Sequence, residues 1–334
     1  MDYEDEKRDC DTYDRGNYDR EKQVAIAATT VAAKLCEAVR HRRTPEAIAK
    51  PDHSPVTIAD FGAQAIICRA ITEAFPDDPI VAEEDAALLR QPHLAEQLEA
   101  VTAQVRSHIP TATVGLVADW IDRGNGKVGS RYWTLDPIDG TKGFLRGDQY
   151  AIALALIEDG DIKVGVLGCP ALPVGEETGA LFVAVRGQGT VLISLQSGSF
   201  QQVSVVASGE MRLTESIEAG HGNLSRQRRV AEAIGLTATP VAMDSQAKYG
   251  VVARGEAALY LRLPRSQTPD YRENIWDHAA GAIVVEEAGG KVTDIYGKAL
   301  DFTAGAKLIH NRGIVASNGD LHDAVLAILS SEVF

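Results

Sequence analysis

The chain has 334 residues, with 33 basic and 47 acidic side chains and a formal net charge of −14. An apolar fraction of 45% and a charged fraction of 24% describe a globular protein with room for about two domains, each able to bury a core. The negative balance argues against a broad nucleic-acid or anionic-membrane surface, and no apolar run approaches the ~20 residues of a membrane span.

Residues 1–20 are charged and nearly free of aliphatics, so a disordered acidic tail is expected there. The tail lacks a secretory apolar core and is too acidic for a transit peptide, which makes the cytoplasm the expected location. Cys10, Cys36, Cys68 and Cys169 are scattered without a C-x-x-C pair, as befits reduced thiols. The first helix is predicted from Glu21 to Arg40, with Val24, Ala28, Val31, Leu35 and Val39 on one stripe. Lys50 to Thr57 is a loop punctuated by Pro51 and Pro55. Asp60 is placed to cap a second helix reaching about Phe75. Pro79–Ala82 is a short buried strand ending at Glu83-Glu84-Asp85, and a polar helix follows over Pro92–Ser107. Gly124–Gly129 matches G-x-G-x-x-G but leads into a strand rather than a helix. It is therefore expected to be a mobile loop and not a dinucleotide site.

Tyr150–Glu158 and Asp161–Gly168 alternate around Asp159-Gly160, a hairpin signal. A second hairpin pairs Leu181–Val185 with Thr190–Ser194. The first domain, residues 21–200, is thus a mostly antiparallel sheet with helices on it. From about Gln201 short strands alternate with helices over Asn223–Ile234, Gln246–Ala253, Trp276–Ala288 and Gly319–Leu329, an α/β second domain covering 201–334.

The densest chemistry lies in Asp136-Pro137-Ile138-Asp139-Gly140-Thr141. Pro137 forces a turn at a strand end, which can aim two carboxylates and the Ile138 carbonyl at one point. Hard oxygen ligands of this kind suit Mg²⁺, and the free N–H groups after Gly140 can face an anion. An Asp-rich turn with a helix cap is the plainer alternative. Glu83 is either a ligand at a strand end or a solvated loop acid, and Asp277 either a ligand or a first-turn acid favoured by the helix dipole.

Taken together, Val81-Ala82-Glu83-Glu84, Trp133–Thr141, Trp276-Asp277-His278-Ala279-Ala280-Gly281 and Glu287-Ala288-Gly289-Gly290 resemble the lithium-sensitive, magnesium-dependent phosphatases that include inositol monophosphatase. Thr141–Gly147, Lys50–Thr57, Asp244–Gly250 and Leu261–Pro264 resemble the 3′(2′),5′-bisphosphate nucleotidase branch. Ala82 stands where the family often has Gly, and Arg265–Arg272 is less familiar. The resemblance implies a layered αβαβα sandwich of the α+β or α/β class, with the metal site between two domains. By the same resemblance Glu83, Asp136, the Ile138 carbonyl, Asp139 and Asp277 hold two or three Mg²⁺, while Asp52 and Thr141 orient and deprotonate the attacking water. Gly140, Thr141 and Asp277 would touch substrate, and His221, Ser245, Lys248 and Arg262 would take the nucleotide 5′-phosphate. Without the resemblance Lys248 reads as an exposed helix residue. The implied activity removes the 3′-phosphate of 3′-phosphoadenosine 5′-phosphate, with the phosphosulfate analogue as a second substrate. A small bisphosphorylated nucleotide is the expected partner, with no nucleic acid and no membrane, and a monomer is the expected state. An inositol phosphate phosphatase and a non-catalytic nucleotide sensor are the alternatives.

Overall fold

A computed structural model describes residues 18–42, 47–50, 54–205, 211–218, 223–265, 267–268 and 270–331. Helix α1 (Asp19–Arg42) starts slightly ahead of the expected Glu21, because its first turn has anchors. The Tyr18 hydroxyl donates to Glu158 over 2.5 Å, and Arg20 donates to the Ala74 carbonyl over 2.8 Å. Strands β1 (Ile48–Ala49) and β2 (Pro55–Val56) pair as a small antiparallel ribbon. They deliver the chain to α2 (Ile58–Ala74), whose cap is Thr57 rather than the expected Asp60. The Thr57 hydroxyl accepts from the Ala59 amide (3.1 Å), while the Asp60 carboxylate accepts from the Thr57 amide (2.8 Å). That is a capping box, in which two otherwise unpaired donors are satisfied reciprocally.

After β3 (Ile80–Ala82), the expected polar helix forms as α3 (Ala95–Arg106). A helix the sequence analysis did not anticipate, α4 (Val114–Asp122), follows the Thr113 cap. Strand β4 (Arg131–Asp139) leads through the short helix α5 (Thr141–Arg146) to β5 (Ala151–Glu158), β6 (Asp161–Val174), β7 (Glu177–Val185), β8 (Gly189–Ser194) and β9 (Phe200–Val203). These seven strands, β3 to β9, form one sheet in chain order, parallel between β3 and β4 and antiparallel elsewhere. Both expected hairpins form, and Asp159 and Gly160 have φ of 52° and 80°, as a two-residue turn requires. The glycine loop before β4 is pinned, not loose. The Gly126 amide donates to the Ile80 carbonyl (2.7 Å), and a Cβ at Gly126 would lie 2.5 Å from that oxygen. Across the end of β4, Asp136 faces Ala153 and Asp139 faces Ala151, so β4 carries a bulge there.

A second sheet is built from β10 (Leu213–Glu215), β11 (Val241–Ala242), β12 (Leu259–Arg262), β13 (Lys291–Thr293) and β14 (Ile314–Ser317), in the order β11-β10-β12-β14-β13. Its helices are α6 (Leu224–Ala233), α7 (Ala247–Ala253), α8 (Ala279–Glu287) and α9 (His322–Ser331). Three apolar cores define the layers. In the first, Leu35, Ile67 and Ile71 of α1 and α2 pack against Ile152, Leu154 and Leu156 of β5. The second holds α7 and α8 between the sheets, with Ala151, Ala153 and Ala155 on one side and Tyr260 and Ile314 on the other. The third packs Val230 of α6 and Val325 of α9 beneath Leu259 and Val315. Helices, sheet, helices, sheet, helices: the expected five-layer α/β sandwich is what the chain adopts.

Candidate active site

The bulged end of β4 runs into a turn with little freedom. The Asp136 carboxylate accepts from the Ile138 amide (3.1 Å), an Asx-type bond that folds the chain back on itself. Gly140 follows with φ of 86°, a left-handed conformation that disfavours any side chain, and a Cβ there would meet Ser245 at 2.9 Å. Asp139 accepts from the Gln246 amide over 2.5 Å, so the turn is tied to the segment entering α7. Arg146, at the end of α5, pairs with Asp148 (2.9 Å) and reaches across to Glu218 and the buried Asp244. The turn is therefore held from both sheets.

A cleft of about 430 Å³ opens over this turn, and Glu83, Asp136, Ile138, Asp139, Gly140, Thr141, Arg262 and Asp277 all line it. Glu83 arrives at the end of β3, where its amide donates to the Leu135 carbonyl (3.1 Å). Asp277 lies just ahead of α8, which begins at Ala279, so it is not the first-turn helix acid the sequence allowed. Burial, with repulsion from neighbouring acids, holds the carboxyls of Asp136 and Asp277 well above the usual range. Burial also raises Asp139, against the pull of Lys248 and Arg262. A set of hard oxygen donors whose charges oppose one another fits a divalent cation, which would relieve that repulsion. At Glu83 the protein supplies a cation of its own. The Lys50 ammonium lies 3.0 Å from Glu83 and 2.5 Å from Glu84, and the two carboxylates raise its pKa against the opposing effect of burial.

Among the described residues, the group of potential ligands packed within 4.8 Å of one another is Glu273, Asp277 and His278. Its charge is already balanced by Arg262, whose Nε lies 2.7 Å from Glu273. Burial opposes ionisation of Glu273, yet Arg262 and His278 hold its carboxyl down at about 2. His278 is itself positioned by Tyr249, whose hydroxyl is 2.8 Å from Nδ1. Arg262 thus lines the cleft while anchored to an acid beneath it.

Other expected substrate residues fall elsewhere. Lys248 is not an exposed helix residue; it is fully enclosed, donating to the Met243 carbonyl (3.3 Å) with its ammonium over the Tyr260 ring at 5.4 Å. Burial lowers its pKa to about 8 despite Asp139 and Asp244 nearby, and it does not line the cleft. Ser245, with φ of 71°, backs Gly140 and accepts from the Ala247 amide (3.1 Å) instead of facing the opening. Asp52 and His221 lie outside the described residues.

One residue carries more than the sequence assigned to it. The Thr141 hydroxyl lies 3.2 Å from the Asp60 carboxylate and 3.2 Å from the Ile138 carbonyl. Asp60 is 1% exposed, and burial lifts its carboxyl to about 6, against its hydrogen bonds from Thr57. The Thr-x-x-Asp pattern signals a capping box, but a second role for the same carboxylate has no local signature. Lys142, Glu218, Asp244, Tyr271 and Asn274 also line the cleft without having been singled out for it.

The profile of the inositol monophosphatase family matches residues 19–333. A protein of Emericella nidulans named 3′(2′),5′-bisphosphate nucleotidase is 42% identical, over 93% of this chain and 97% of its own. One of Schizosaccharomyces pombe with the same name is 43% identical, over 93% and 95%. Among solved structures, an IMPase of Thermotoga maritima superposes with a TM-score of 0.64 at 25% identity, covering 93% of this chain and 97% of that one. CysQ from Bacteroides thetaiotaomicron, at 18% identity and a TM-score of 0.56 over 92% and 98%, shares the fold. With an acid-lined cleft between two sheets and a family match running almost end to end, this chain belongs to the inositol monophosphatase family.

Proposed function

We propose that this protein is a magnesium-dependent phosphatase that hydrolyses the 3′-phosphate of 3′-phosphoadenosine 5′-phosphate, and that it also accepts the phosphosulfate analogue. The observation that carries the reading is the cleft, in which Glu83, Asp136, Ile138, Asp139 and Asp277 converge beside the Thr141 hydroxyl. The names of the most similar relatives support the choice of a bisphosphorylated nucleotide. Those five residues would hold two or three Mg²⁺, which supply charge to polarise the phosphoryl group and to acidify water.

The protein's own groups then do the positioning. Thr141 donates toward Asp60, which leaves the hydroxyl oxygen free to accept from the attacking water and to align it in line with the scissile bond. Asp60, whose carboxyl burial raises above its ordinary value, is suited to take up a proton relayed through that hydroxyl. Asp52 was the expected partner of Thr141, and comparing Asp60→Asn with Asp52→Asn assigns the role. Arg262, anchored on Glu273, grips the 5′-phosphate far from the reacting bond, and this grip is used to place the 3′-phosphate. Residues 21–200 would carry most of the metal ligands and 201–334 the 5′-phosphate pocket. The corresponding biological role is clearance, in the cytoplasm, of a by-product of sulfate assimilation. Phosphate release from the bisphosphate nucleotide, AMP, inositol 1-phosphate and fructose 1,6-bisphosphate tests the reading. Preference for inositol 1-phosphate would replace it with an inositol phosphatase, and binding of the nucleotide without turnover would make the protein a sensor.

A further inference from the structure

We propose that Tyr271 is the base platform of this site: its ring stacks on the nucleobase of the substrate and sets the preference for a nucleotide over a base-free phosphate ester. The inference rests on the nucleotidase reading above. Tyr271 is the only aromatic side chain among the described residues lining the cleft, and it stands beside Arg262, Asn274 and Asp277. It is 48% exposed, a large area for an aromatic ring with no ligand against it.

Burial, with Glu273 adding to it and a hydrogen bond from Arg262 opposing it, pushes the phenol up to about 12. The phenol is thus tied to Arg262 within the cleft lining. The Lys307 ammonium stands 5.6 Å from the ring centroid, and the residue keeps its 48% exposure with that cation in place. The placement also suits the substrate. Base and 5′-phosphate hang from the same ribose, and Tyr271 is bonded to the guanidinium assigned to that phosphate. The rest of the described lining is acids, Lys142, Arg262, Asn274 and small or aliphatic groups, none of them an aromatic ring. Stacking on an aromatic tolerates any base, so the platform selects for a nucleotide rather than for adenine in particular.

The test compares adenosine 3′,5′-bisphosphate with methyl ribofuranoside 3,5-bisphosphate, which keeps both phosphates and lacks the base. Wild type is expected to favour the nucleotide by about 5- to 150-fold in kcat/KM, chiefly through KM. Tyr271→Ala should remove that preference, bringing kcat/KM for the nucleotide down to that for the base-free ester. Tyr271→Phe keeps the ring and loses the bond to Arg262, so it should retain the preference. A Phe variant that behaves like the Ala variant, or an Ala variant that loses equally on both substrates, overturns the proposal. So does a wild type that turns over the base-free ester as well as the nucleotide, and in that case the phosphatase reading stands. Failure to release phosphate from either compound would overturn the nucleotidase reading, and the platform with it.

Discussion

Replacing Asp60 by asparagine should make the metal-free protein more stable while disabling the enzyme. Burial holds the Asp60 carboxyl at about 6 against an ordinary 3.8. The native state therefore binds this proton more tightly than the unfolded chain does. The resulting stabilisation is complete below about pH 4 and is lost as pH rises through about 6. A shift of roughly two units is worth about 3 kcal/mol, the amount by which the ionised carboxylate burdens the fold at neutral pH without a metal. Asparagine carries no such charge. Its carbonyl can still accept from the Thr57 amide, and its NH₂ can donate to the Thr141 oxygen. Losing the charged acceptor costs about 1–2 kcal/mol, which leaves a net gain of about 1–2 kcal/mol. For 334 residues unfolding together, this corresponds to a rise in Tm of roughly 1–3 °C. Melting curves in chelator should show that rise near pH 7.5 and little difference near pH 4. With Mg²⁺ present, phosphate release by the variant should fall by about 10²- to 10⁴-fold. A variant that melts earlier than wild type near pH 7.5 in chelator refutes the electrostatic argument, and one that keeps normal kcat refutes the catalytic assignment.

Chelation should abolish turnover and Mg²⁺ restore it, and Asp136→Asn should cost on the order of 10³-fold or more in kcat; near-normal rates in excess chelator would end the metal reading. Arg262→Ala should lower kcat/KM for the bisphosphate by about 10- to 150-fold and adenosine 3′-monophosphate far less, with lysine an incomplete substitute. Because the same change leaves Glu273 buried without its partner, a fall in Tm is also expected; equal losses on both substrates with the fold intact by circular dichroism would show the arginine to be purely structural. Gly143→Ala would place a Cβ 2.3 Å from the Gln149 carbonyl, so both Tm and kcat should drop, and a variant indistinguishable from wild type in a thermal melt would show the turn to be pliable.

What could be read from the sequence divides by distance along the chain. The Asp136–Thr141 turn was legible because Pro137 and Gly140 dictate its shape locally. Glu83 and Asp277 came through motif order, which the cleft then brings together. Asp60 was half visible: the cap pattern is local, but its meeting with Thr141 spans 81 positions and depends on how α2 packs beneath the turn. The burial of Lys248 was hidden for a related reason. Every residue of α7 is buried between the sheets, so the helix has no polar face against which a lysine could be judged. Helix α4 passed unnoticed although Thr113 caps it, since Val114–Asp122 is too short for a clear apolar stripe.

The bulge in β4 fixes a question of parity. Along a regular strand, residues three apart point to opposite faces, so Asp136 and Asp139 would be separated by the sheet. Because β4 advances one residue more than β5 across this stretch, both aspartates stand opposite alanines of a single face, Ala153 and Ala151, the side that looks toward α7 and α8. The site is thus written in a reading frame as well as in residue types. Were the same residues to pair as a regular strand without the bulge, the Asp139 carboxylate would swing toward the face of Ile152 and Leu154, where an unpaired charge costs several kcal/mol. Such a chain would retain every acid of the motif and still have one of them on the wrong side of the sheet.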